Sequence, residues 1–126
     1  MARTVVSYTQ LTPNGHTTSP AGTTIDATLV SNGVEIDIAD PEHTILRVSN
    51  TATSAKNVTV RAGSGIQAWM AGQGDLPVNV GANTGMEFIG PFTSARFQQD
   101  GSKLYLDFDS GFTGTLTVFH MPKAWN

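Results

Sequence analysis

Cysteine is missing altogether from the 126 residues. Its absence excludes disulfide frameworks, thiolate metal sites and cysteine nucleophiles together. Charge is scarce as well: 13% of the side chains are charged, the net charge is −3, and the seven Lys and Arg stand singly. Nucleic-acid binding needs a clustered basic face, so no nucleic-acid partner is expected. No apolar run approaches the roughly 20 residues of a membrane-spanning helix, and no membrane association is expected. The N-terminus, MARTVVSYTQLTPNG, has only Val5 and Val6 as an apolar stretch, too short for a secretory leader. Long helical periodicities are lacking too.

What remains fits one domain, large enough to bury about two-thirds of its extended-chain surface. The 17 threonines and 13 glycines, with β-branched residues punctuated by Gly, Asn and Asp, predict strands and turns. Residues 1–23 differ from the rest. QLTPNGHTTSPAGTT holds two prolines, two glycines and a run of small polar side chains, which predicts an N-terminal arm or long loop ahead of a domain at 24–126.

In TIDATLVSNGVEIDI two alternating runs, Ile25/Ala27/Leu29 and Val34/Ile36/Ile38, flank Asn32-Gly33, a hairpin signal. HTILRVSN and AKNVTVRAG read as two strands paired across a TATSA turn. The segment around Trp69 reads as short strands and loops, with a short helix near Gln67 to Ala71 as the alternative; GMEFIGPF reads as a strand stopped by Gly90-Pro91. SARFQQ and KLYLDFD flank the turn signal Asp100-Gly101. Leu104, Leu106 and Phe108 should face inward, with Lys103, Tyr105, Asp107 and Asp109 outward. In the last strand Leu116 and Val118 point inward and Thr115, Thr117 and Phe119 outward. Seven to nine short antiparallel strands at this spacing predict an all-β fold, a β-sandwich or small barrel.

The acidic cluster Asp100, Asp107 and Asp109 invites three readings: a glycosidase-type carboxylate pair, a calcium loop, or the solvated side of a strand. Asp107 and Asp109 lie roughly 6–7 Å apart at Cα on one strand, a workable distance for such a pair. However, catalytic pairs come from different elements lining a cleft, and DFDSG lacks the further oxygens and closing Glu of an EF-hand. The solvated reading leads. His16, His43 and His120 show no ligand spacing, so no metal is expected. No GxSxG elbow or Walker loop is present, so neither an enzyme nor a cofactor is expected. Asn57 opens an NVT triplet, read as a chance match.

Residues 45–122 resemble small proteins encoded among the head genes of tailed bacteriophages. The resemblance runs through ILRVSNTATSAKNVTVRAG, AGQGDLPVNVGANTG, FIGPFTSARFQQDGSKLYLDF and SGFTGTLTVFHMP, about 60% of the chain. It implies a capsid decoration (cement) protein: a structural virion protein that binds the major capsid protein on the outside of the expanded shell and stabilises it. Clustering at lattice three-fold axes would imply a homo-oligomer, a trimer. Such a protein would be made in the host cytoplasm and end on the capsid surface. The polar arm suits ordering on a partner, by adding a strand to a neighbouring sheet. Thr4, Val5, Val6 and Tyr8 of the arm, Trp69 and Met70 of the AWMAGQGD loop, and Trp125 near the C-terminus are the expected contact residues. The alternatives are a phage tail or neck component and a carbohydrate-binding β-sandwich with Trp69, Tyr105 and Asp107 as its platform.

Overall fold

The computed structural model describes residues 3–64 and 68–121. Among these residues ten strands form two five-stranded sheets packed as a sandwich, with no closed barrel. The first sheet contains β1 (Thr4–Val5), β4 (Val34–Ile36), β9 (Leu104–Phe108), β6 (Lys56–Val60) and β7 (Leu76–Val80), in the order β1-β4-β9-β6-β7. The second contains β2 (Thr9–Gln10), β10 (Gly114–His120), β5 (Thr44–Asn50) and β8 (Gly85–Ile89), in the order β2-β10-β5-β8. Strand β3 (Thr23–Ile25) pairs with β10 beside that path.

Alternation builds the core. Val34, Ile36, Val58, Val60, Val80, Leu104 and Leu106 come from the first sheet, and Leu46, Val48, Leu116 and Val118 from the second; all are almost fully buried. Phe108 meets Phe112 edge-on at 5.0 Å between ring centres, closing one end. The inward and outward sets expected for β9 are the observed ones, and in β10 Leu116 and Val118 are buried as expected, but Thr117, expected outward, is buried as well.

Four local expectations are overturned. The run after Ile25 is a helix, α1 (Ala27–Asn32), and not the first arm of a hairpin. Asp26 caps it by accepting from the Leu29 N–H at 2.9 Å. Gly33 ends it at φ +79, its N–H bonding the Leu29 carbonyl, so the Asn-Gly pair is a helix stop. Strands β5 and β6 do not pair, since residues 51–55 cross from one sheet to the other. Buried Asn50 fixes that crossover: its amide donates to the carbonyls of Ser54 and Val80, both at 3.1 Å, and its oxygen accepts from the Ala52 N–H. SARFQQ contributes a short helix, α2 (Ser94–Phe97), although the Asp100-Gly101 turn is present and closed by the Gln99–Lys103 bridge. Finally, the sheets are mixed, because β1 runs parallel to β4 and β2 parallel to β10.

Those parallel pairs come from the N-terminal arm, which lies along both sheets. Thr4 and Val6 donate to the carbonyls of Gly33 and Glu35, and Leu11 donates to that of His120. Val6, between β1 and β2, is a core residue at 5% exposure.

The edges formed by β1, β2, β7 and β8 are blunted. Strands β1 and β2 have two residues each. Edge strand β7 carries Pro77, and edge strand β8 carries Glu87 opposite the buried Val48, a charge on the core-facing side. Short edges, edge prolines and inward charges all discourage strand addition.

Candidate functional site: two unlike sheet faces and an arm clamp

The outer face of the first sheet is laced with charge. Asp107, on central strand β9, takes Arg3 Nη1 at 2.8 Å on one oxygen and Arg61 Nη1 at 3.3 Å on the other. Arg61 also lies 3.6 Å from Asp75, and Arg3 stacks 4.3 Å above the Tyr105 ring. Lys103 contacts Glu35 at 2.7 Å and Asp37 at 3.5 Å. The Glu35 hydrogen bond, aided by Asp37, holds the Lys103 ammonium above its ordinary 10.5. Asp109 has a structural partner, accepting from the Asn57 N–H at 2.8 Å.

This network bears on the readings of Asp107 and Asp109. Asp107 and Asp109 sit on the outer side as alternation requires, but they are committed to two arginines and a backbone amide. Among the described residues, no group of three or more His, Asp or Glu is placed to hold a metal ion. The platform Trp69–Tyr105–Asp107 is not an open aromatic surface, because Arg3 covers the Tyr105 ring and pairs with Asp107.

A second cluster lies where the arm crosses between sheets. The Asp40 N–H donates to Tyr8 Oη at 2.9 Å. Tyr8 Oη lies 2.7 Å from Thr44 Oγ1, which itself donates to the Asp40 carbonyl at 2.6 Å. Because the Thr44 hydroxyl hydrogen is used there, Tyr8 donates to Thr44. His120 Nε2 and His43 Nδ1 each stand 3.0 Å from the same Asp40 oxygen, and His120 Nδ1 is 2.7 Å from Gln10 Oε1. The His120 hydrogen bond, with His43 adding to it against partial desolvation, holds the Asp40 carboxyl below its ordinary 3.8. Spacing in the sequence kept these two histidines apart; strand β10 returning beside β5 brings them together, in contact with one carboxylate. Beside this clamp is a groove of about 620 Å³ lined by residues that include Val5, Tyr8, Ile38 and His120. Ile38 is 87% exposed at φ +51, a backbone region that β-branched residues avoid.

The outer face of the second sheet carries an apolar patch. Leu11, Ile45, Phe88 and Phe119 line a hollow of about 250 Å³ with no polar wall. Phe119 stands opposite Ile45 across β10 and β5, while Phe88 stands opposite Arg47 and Met86 opposite Ser49 across β5 and β8. Phe88 is 66% exposed and Met86 52%.

The expected contact residues divide. Thr4 lies in β1, Val6 is in the core and Tyr8 belongs to the clamp. Val5 and Trp69 are exposed, at 53% and 78%. Met70 is half-buried, and its N–H bonds the Ala95 carbonyl, tying the Trp69 loop to α2. Trp125 lies outside the described residues. Phe88 was missed, and Ile38, expected in one alternating run with Val34 and Ile36, lies past the end of β4 and is exposed; the outward placement of Ile45 and Phe119 was available from strand alternation alone. Comparison with family models, curated proteins and solved structures gives no match. Among the described residues, no helix is long and apolar enough to cross a membrane.

Proposed function

We propose that the chain is a structural virion protein that binds the outer surface of a phage capsid and stabilises the expanded shell. The observation that carries this reading is that Phe88 and Met86, both exposed, share the outer face of the second sheet with Leu11, Ile45 and Phe119 in one apolar patch. An adhesive module needs apolar groups held out for a partner, whereas a free monomer exposes few in one patch. The carboxylates first considered for chemistry are occupied by arginines and a backbone amide, which suits a frame better than an active site. The resemblance of residues 45–122 to phage head proteins supplies the partner class, the major capsid protein, and a trimer at lattice three-fold positions is the matching assembly.

The blunted edges bear on how it would attach. The arm already pairs with its own sheets, so strand donation would have to break β1–β4 or β2–β10. Attachment through faces and loops needs no such step. Stabilisation follows from mass action: a ligand that binds only the intact shell at about 100 times its Kd stabilises each site by about 2.7 kcal/mol. The test is co-sedimentation of the purified protein with expanded, undecorated capsids of the parent phage, with unexpanded procapsids as control. Saturable binding to the expanded shell is expected. Absence of binding to either shell would overturn the reading in favour of a tail or neck role.

A further inference from the structure

The two outer faces ask for different surroundings. On the first sheet, acids and bases alternate and neutralise one another, which is a surface made for water. On the second, Leu11, Ile45, Met86, Phe88 and Phe119 form a continuous patch beside Arg47. The Arg47 guanidinium lies 5.5 Å from the Phe119 ring centre and donates to neutral acceptors: Ser19 Oγ and the Pro20 carbonyl, each at 2.6 Å, and Thr117 Oγ1 at 3.0 Å. Among the described residues no carboxylate lies within ion-pair distance of Arg47. The nearest acid along the facing strand, Glu87, is in register with core-facing Val48 and so belongs to the other side of the sheet. Among the described residues the patch therefore carries one cation, no neutralising anion, and a surround of Thr and Ser hydroxyls.

Resting on the reading of a capsid-binding protein, we infer that this outer face of the second sheet is the shell-facing surface. Its occupant is an apolar patch of the capsid shell that carries a carboxylate facing Arg47. Charge complementarity selects that occupant over a second copy of this chain. Two copies packed face to face about a two-fold axis would bring two Arg47 cations onto one desolvated patch with no acid between them. Area argues the same way. Five partly exposed side chains present on the order of 300 Å², short of the roughly 800 Å² per partner that a stable dimer buries. A shell that offers many equivalent sites, with Trp69 or the arm groove adding contacts, does not need the patch alone to hold a complex. A trimer built through other surfaces is compatible with this assignment.

The test is co-sedimentation of the full chain and three variants with expanded capsids, each variant first checked for a wild-type melting profile. Phe88→Ser should weaken binding at least tenfold, whereas Trp69→Ser should change it less than Phe88→Ser does. Arg47→Gln should weaken binding and flatten its salt dependence, because the charge pair with the shell is gone. A readout that needs no variant is peroxide oxidation of Met86, which should slow at least fivefold when wild-type protein is shell-bound. If wild type binds but Phe88→Ser binds equally well and Met86 oxidises at its free rate, the face assignment is overturned while the capsid-binding reading stands. If wild type binds neither expanded nor unexpanded shells, both fall. A concentration-dependent dimer in sedimentation equilibrium that Phe88→Ser abolishes would overturn the choice of occupant.

Discussion

Asp40 is the residue on which the arm, β10 and the loop ahead of β5 converge. Its carboxyl is held below its ordinary 3.8 by the hydrogen bond from His120, with His43 adding to it. A carboxyl depressed on folding adds stability above the unfolded value, and that contribution disappears as pH falls through the folded value. Asp40→Asn should therefore melt below wild type at pH 7, with the gap closing below about pH 4 as the wild-type carboxylate is protonated. Thermal melts across pH 7 to 3 check this; a gap that stays constant over the range would contradict it. Part of the two side-chain networks was legible in the sequence and part was not. The outward side of Asp107 follows from two-residue alternation, but its arginine partners do not. Arg3 lies 104 positions away along the chain. The meeting of His43 with His120 is likewise a product of topology, and no local spacing carries it.

At the scale of elements, Gly33 joins the end of α1 to β4 and sits beneath the arm. Its φ of +79 and ψ of 176 fall in a region that is essentially restricted to glycine. A Cβ at this position would also meet the Arg3 guanidinium and stand 2.7 Å from Asp107 Oδ1. Gly33→Ala should cost about 2 kcal/mol, lowering the melting temperature by roughly 6–10 °C for a domain of this size. It should also speed hydrogen exchange at Thr4, whose N–H bonds the Gly33 carbonyl. An Ala variant that melts with wild type and protects Thr4 equally would contradict the account of this junction. Strands β5, β6 and β9 were readable because one buried face forces alternation, and β10 was readable although Thr117 is buried between Leu116 and Val118. The segment at residues 25–33 was misread because its apolar residues fit either period over so short a run. The decisive signals were the caps, Asp26 before the helix and Gly33 after it. The β5–β6 hairpin failed for another reason: Asn50 reaches across the sandwich to Val80, and a distant carbonyl leaves no mark in a five-residue turn.

For the whole molecule, the two outer faces and the guarded edges matter more than any single group. The all-β sandwich was predictable from composition and turn spacing, while the choice against a barrel and the parallel seating of the arm were not. Which outer face is apolar was partly readable: Ile45 and Phe119 alternate outward on strands whose inner residues are plainly core. Their union with Phe88 and Leu11 required the strand order β2-β10-β5-β8, which places residues from four separate segments side by side. An apolar patch on one side and an ion-paired face on the other make the two sides unlike, and under the proposed function they would be the shell side and the solvent side. Shell stabilisation is the property that such an arrangement would serve. The most direct measurement is scanning calorimetry of expanded, undecorated capsids titrated with the protein. The account predicts that the shell's disruption temperature rises with added protein and levels off at saturation. An unchanged disruption temperature at saturating protein would contradict it.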